Sequence, residues 1–156
     1  MKRNIFTLLL GVSFFVAGCG DSAKPTDLPK LHPVTITVTS EGNALEGAIV
    51  QLVSDPPIKF QAITGTDANG KAVMKTYNYD GVPAGNFKVV ITRDIDDDFV
   101  YTENTDGSKG IASSTQYQTL DTKFYQATTT PFEIEVPLKA GTNTSFEVGK
   151  TIKVRR

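Results

Sequence analysis

Between Val34 and Arg93, apolar residues recur at every second position, and the runs are separated by turns of Gly, Asn, Asp and Pro. A period of two belongs to strands buried on one face, not to helices. Val34, Ile36 and Val38 alternate with Thr35, Thr37 and Thr39 in a first strand rich in β-branched residues. The segment Glu41-Gly42-Asn43-Ala44 turns the chain, and Ala48 to Val53 forms the second strand, with Gly47 marking a tight or bulged entry. Asp55-Pro56-Pro57 ends that strand, because consecutive prolines cannot donate to a ladder. Phe60 to Thr66 is the third strand. Asp67-Ala68-Asn69-Gly70 is a turn in which Asp caps while Asn and Gly tolerate positive φ. Lys71 to Tyr77 returns as the fourth strand. After the loop Asp80 to Gly85, a fifth strand turns Phe87, Val89 and Ile91 inward.

Residues 94–130 depart from this rhythm. They are dense in Asp, Thr, Ser and Gly, and too long for a plain hairpin loop. A turn of helix within Ser113 to Tyr125 would place Leu120 and Phe124 on one face. Phe132, Ile134 and Val136 then alternate with glutamates in a sixth strand, opened by Pro131 and closed or bulged by Pro137. The last strand runs from Ser145 to Val154, with a register-shifting bulge at Gly149. The expectation is an all-β fold: an Ig-like or prealbumin-like Greek-key sandwich of about seven strands, with a long insertion before the last two. The Cys…Trp…Cys signature of antibody domains is absent, since the chain has no Trp and one Cys.

Composition narrows the function classes. A length of 156 residues suits one domain. Sixteen basic against seventeen acidic residues leave no polybasic footprint for nucleic acid. A single Cys forms no internal disulfide, and with a single His it makes no zinc cluster.

The first nineteen residues read MKRNIFTLLLGVSFFVAGC. Lys2 and Arg3 form a positive n-region, and Ile5 to Val16 an apolar stretch too short for a membrane span and of signal-peptide length. Val16-Ala17-Gly18-Cys19 resembles the lipobox of bacterial lipoproteins. That resemblance implies lipid attachment to the Cys19 thiol, cleavage just before it and acylation of the new amino group. It divides the chain into a signal peptide (1–18), a lipidated tether (19–31) and a domain (32–156). The protein is then expected at the cell membrane or outer membrane, lipid-anchored, on the periplasmic side or the surface. Two acyl signals are what convert marginal membrane binding into stable anchoring.

The domain itself resembles carboxypeptidase-regulatory-like, or transthyretin-like, β-sandwich modules. The residues that carry this are Gly42-Asn43-Ala44-Leu45-Glu46-Gly47-Ala48, then Thr66-Asp67-Ala68-Asn69-Gly70-Lys71-Ala72, then Val82-Pro83-Ala84-Gly85-Asn86-Phe87-Lys88-Val89. They follow the family's "G-x-x-L-x-G-A … T-D-x-x-G … P-x-G-x-[FY]-x-V" order. Lipobox, tether and module together resemble small lipoproteins of planctomycete-type bacteria. In those proteins a stretch like Lys123-Phe124-Tyr125 packs over the sandwich, and the same is expected here. The resemblance implies an accessory, adhesive or scaffolding role, not a reaction.

Candidate chemistry is sparse. His32, before Pro33, reads as solvated and not as a catalytic base, and a G-x-S-x-G nucleophile motif is absent. The transthyretin-related hydrolases rely on several histidines that this chain lacks. Asp94, Asp96, Asp97 and Asp98, with Glu103 and Asp106 beyond, are the candidate metal ligands, because Ca²⁺ takes six to eight hard oxygens. Their spacing is not that of an EF-hand, and a solvated acidic loop protecting a strand end is the leading alternative. The hairpin turn explains Asp67 and Asn69 better than ligation does. Tyr77, Tyr79, Tyr101, Tyr117 and Tyr125 offer a platform for a glycan or protein partner, although core or rim packing explains them more simply. An internal Lys30–Asn143 isopeptide bond lacks an assignable acid. The expectation is a non-enzymatic lipoprotein, an accessory structural or binding module of the cell envelope. The alternative is a calcium- or carbohydrate-binding surface module using the acidic 94–106 stretch.

Overall fold

The computed structural model describes residues 27–54 and 61–156. The signal peptide, Cys19, most of the tether, the Asp55-Pro56-Pro57 strand end and Phe60 lie outside the described residues.

The chain enters through β1 (Leu31–His32) and β2 (Thr35–Ser40), turns through β3 (Asn43–Ala44) and continues into β4 (Ile49–Ser54) and β5 (Ala62–Gly65). Next come β6 (Lys71–Val73), β7 (Lys75–Thr76), β8 (Tyr79–Asp80), β9 (Val82–Pro83) and the long β10 (Gly85–Thr92). The C-terminal part holds β11 (Asp94–Glu103), β12 (Lys109–Gln118), a 3₁₀ turn at Thr122–Tyr125, β13 (Glu133–Val136), β14 (Ser145–Glu147) and β15 (Val154–Arg155).

Two sheets face each other as a β-sandwich. One has the order β13-β10-β4-β5-β7-β8; in the other β2 pairs with β14, β3 and β6. The alternation seen in sequence sets their inner faces. Ile36 and Val38 of β2 meet Val50, Leu52, Val89 and Ile91 of the opposing sheet in one buried cluster. Phe87, Val89 and Ile91 point inward as the spacing requires. Val90, which alternation alone would place outside, is buried as well.

The fourth strand is not continuous. It divides at Met74, where the chain leaves the β2 sheet and joins the β5 sheet. Met74 is fully buried; its N–H donates to Val34 O at 2.9 Å and its carbonyl accepts from Gly81 N–H at 2.8 Å. The Asp67–Gly70 turn is therefore a corner between sheets, because the strands on either side of it pair with β4 and β2 and not with each other.

The segments 42–48 and 66–72 are joined at this corner. Thr66 Oγ1 donates to Leu45 O at 2.6 Å and accepts from Ala48 N–H at 2.9 Å. Asp67 Oδ1 accepts from the backbone N–H groups of Asn69 and Lys71, as its capping role predicts. Gly70 sits at φ +70°, and an added Cβ would lie 2.4 Å from Val38 O. Only glycine fits that combination of left-handed backbone and close approach.

The last expected strand also divides. β14 lies parallel to β2, then Gly149 at φ +71° turns the chain away, and β15 pairs antiparallel with β12. This is a departure into another sheet, not a bulge within one strand. A stack of three phenylalanines closes the adjacent side of the sandwich: Phe124 to Phe132 at 5.3 Å and Phe132 to Phe146 at 4.7 Å between centroids.

Candidate functional site

The stretch expected as a polar insertion is two ten-residue strands, β11 and β12, paired antiparallel from Asp94↔Gln118 to Glu103↔Lys109. The helical turn expected within Ser113–Tyr125 is confined to the 3₁₀ turn, because residues 109–118 are already committed to the β12 ladder. Leu120 and Phe124 are nevertheless both buried in the core, and Lys123-Phe124-Tyr125 packs over the sandwich. The overlooked signal was Asp106-Gly107. Gly107 has φ +81° and donates to Asn104 O, while Asp106 Oδ1 accepts from Ser108. Asp-Gly between two extended runs is a hairpin signature, and the runs were obscured by their polarity.

The root of this arm is fastened to the domain. Tyr125 donates its hydroxyl to Arg93 O at 2.9 Å, and Thr119 Oγ1 does so at 2.8 Å. Burial, followed by the carboxylate of Asp94, pushes the Tyr125 hydroxyl above its ordinary range, despite the opposing pull of the Arg93 backbone. The returning C-terminal segment holds the other side. Arg156 bonds Asp94 at 2.6 Å, and its N–H donates to Gln116 O at 3.0 Å. Lys153 bonds Asp97 at 2.6 Å and lies 4.2 Å from the centre of the Tyr117 ring. The Lys153 ammonium holds the Asp97 carboxyl below the usual carboxylate range, and Asp97 in turn raises the lysine.

This geometry separates the four candidate metal ligands. Strand alternation sends Asp94 and Asp96 to one face and Asp97 to the other. Asp98 adopts φ +53° at a bulge and accepts a hydrogen bond from the Tyr117 hydroxyl, which it raises. Asp94 and Asp97 already face cations. Among the described residues no group of three or more His, Cys, Asp or Glu side chains gathers as a metal set.

The five tyrosines lie on separate elements. Tyr77 lies in the β7–β8 turn and Tyr79 opens β8, Tyr101 is on the outer arm, and Tyr117 and Tyr125 are at its root. His32 is not in a free tether: it is half-buried in β1 and pairs with Val82. Asn143 Oδ1 accepts from Ser145 N–H, a turn role. A depression of about 560 Å³ beside β13 is lined by Lys88, Glu133 and Glu135 among others. Its charges are consumed in the Lys88–Glu133 and Lys139–Glu135 ion pairs.

Beyond the bulge, the arm exposes apolar side chains. Phe99 is 40% exposed, Val100 56%, Tyr101 59% and Ile111 61%. Tyr101 stands opposite Ile111 in the ladder, and the Phe99 and Tyr101 rings lie 6.4 Å apart, so these three share one face. The arm thus combines a fastened root with a cluster of exposed apolar side chains on one face of its outer part. Among the described residues no helix is long and apolar enough to cross a membrane. Comparison with protein-family models, with curated proteins and with solved structures found no match to this chain.

Proposed function

We propose that this protein is a lipid-anchored, non-enzymatic module of the bacterial cell envelope, tethered at Cys19, whose β11–β12 arm binds a partner. The observation that carries the binding role is the arm. Tyr125, Arg156 and Lys153 hold its root, while Phe99, Tyr101 and Ile111 remain in solvent on one face. Anchorage is supported by the residues Val16-Ala17-Gly18-Cys19 after a charged and apolar leader. The carboxypeptidase-regulatory-like reading is supported by the work its motif residues perform: Thr66 joins Leu45 to Ala48, and Gly70 lies against Val38. A calcium role for the acidic stretch gains no support from carboxylates already facing Arg156 and Lys153.

The test is intact mass and membrane partitioning of the protein from its native host, beside Cys19→Ser. Acyl mass on a chain starting at Cys19, with the variant released from the membrane, is the expected result. An unlipidated, soluble wild-type chain would overturn the anchor.

A further inference from the structure

One side of the arm root is held by a segment that contributes nothing to the core. The sandwich keeps its hold on the chain as far as Gly149: Val148 is buried, and Ser40 Oγ donates to Gly149 O at 2.7 Å. Residues 150–156, Lys-Thr-Ile-Lys-Val-Arg-Arg, are all exposed. Their backbone runs along β12. Ile152 N–H donates to Thr119 O at 2.9 Å, Val154 pairs with Gln118, Arg155 pairs with Tyr117, and Arg156 N–H donates to Gln116 O. Their side chains reach β11, where Lys153 meets Asp97 and Arg156 meets Asp94. The segment therefore grips one strand by its backbone and the other by charge. It carries four cations and no acid, and β11 carries five carboxylates and no cation.

A two-stranded ribbon is marginal in water, and a third strand is what gives it independent stability. At the arm root that third strand is β15. Its coverage stops where the ladder between β11 and β12 loses its register, between Asp97 and Val100. On the opposite side, the bonds that fasten the root converge on Arg93 and Asp94 at its base.

We propose, resting on the reading of the arm as the binding element, that residues 150–156 are a releasable strap that controls the order of the arm. Seated, the strap completes a three-stranded root. Released, it leaves a polar two-stranded ribbon that frays, while the sandwich, which gains no buried side chain from the strap, keeps its fold. Gly149, at φ +71° with nothing within 4 Å of a built Cβ, is the point where the chain leaves the sandwich for the arm. Both ion pairs lie in water, so salt screens the seat. Release also returns Asp94, Asp97 and the β12 edge at 116–118 to solvent. The strap thus sets both the stiffness and the charge of the arm.

The test is amide hydrogen exchange of the full chain beside a variant ending at Gly149. In the shortened chain the β11 and β12 amides should exchange about tenfold or more faster, with the protection of Val89 and Ile91 unchanged. Unchanged protection in the arm would overturn the proposal, and so would loss of protection at Val89 and Ile91, which would make the strap part of the sandwich. A second variant fixes the strap in place. Gln118 and Val154 stand opposite each other in the ladder, at a Cα separation of about 4.5–5.5 Å that a disulfide accepts. Gln118→Cys with Val154→Cys, in a chain carrying Cys19→Ser, locks the strap when oxidised. Raising salt from about 0.1 to 1 M shortens the screening length from about 10 to 3 Å, and should speed arm exchange about threefold or more in the wild type but not in the oxidised variant. Equal salt responses in the two, or none in the wild type, would also overturn the proposal. Because the anchor is read separately by membrane partitioning of Cys19, failure of the strap leaves that reading standing.

Discussion

Thr66 and Leu45, twenty-one residues apart, are joined by a buried 2.6 Å hydrogen bond from the threonine hydroxyl to the leucine carbonyl. The same hydroxyl accepts from Ala48 N–H, and Thr66 N–H donates to Ala48 O at 2.8 Å. One side chain therefore ties the entry of β4 to the exit of β5. Thr66→Val keeps shape and removes the hydroxyl, leaving the Ala48 N–H buried and unpaired. We expect a loss of about 1–3 kcal/mol, read by urea denaturation. An unchanged midpoint and slope would show that the hydroxyl contributes nothing to the corner.

Gly70 tests backbone proximity. Gly70→Ala combines a left-handed residue with a Cβ 2.4 Å from Val38 O, and should cost about 2–5 kcal/mol. Gly42, at φ +79°, has nothing within 4 Å of a built Cβ. Gly42→Ala should cost only the conformational part, about 1–2 kcal/mol. Equal losses in the two variants would mean that the approach to β2 relaxes without penalty.

Phe146 is 5% exposed and stacks on Phe132 at 4.7 Å. Phe146→Ala removes an aromatic ring between β14 and the segment before β13, and should lower stability by about 3–5 kcal/mol in equilibrium unfolding. Phe99→Ala on the arm, made as a control, should stay within about 0.5 kcal/mol, because that ring is exposed and outside the core.

The arm root should be acid-sensitive. Lys153 depresses the Asp97 carboxyl in the folded state. Its contribution is present above the unfolded carboxylate value of about 3.9 and is lost as pH falls through the lower folded value. Lys153 is raised by Asp97, so its contribution is present below the unfolded lysine value of about 10.4 and fades as pH climbs through the higher folded one. Hydrogen-exchange protection of β11–β12 amides, corrected for intrinsic rates, should therefore be flat from about pH 5 to 9 and fall below about pH 4. Val89 and Ile91 should keep their protection longer. Lys153→Ala should lower arm protection at neutral pH and weaken the acid step; identical profiles with and without Lys153 would dismiss the ion pair as a fastener.

The strands of the sandwich were legible because alternation is local. Ile36 and Val38, and Phe87, Val89 and Ile91, point to the core as their spacing demands. The arm was not legible as strands, because Asp94 to Glu103 and Lys109 to Gln118 lie mostly in water and carry no hydrophobic period. Their regularity comes from cross-strand pairing. The acidic run looked like one site because four carboxylates are neighbours in sequence. In a strand, neighbours point to opposite faces, and the bulge at Asp98 turns another toward Tyr117.

By itself, the sequence determined the all-β class, the inward faces of the main strands, the capped turn at Asp67 and the tolerance of positive φ at Gly70. Each of these depends on the period of two or on a residue's own backbone preference, and both act within a few residues. Only the tertiary structure decided that the chain changes sheets at Met74, that β14 runs parallel to β2 and that β15 departs to pair with β12. It also decided that Arg156 and Lys153 meet Asp94 and Asp97 across 62 and 56 residues. The physical reason is that a strand's edge accepts any backbone of suitable register. Its partner is selected by which distant surfaces the closing core brings alongside, and a local pattern carries no record of that choice.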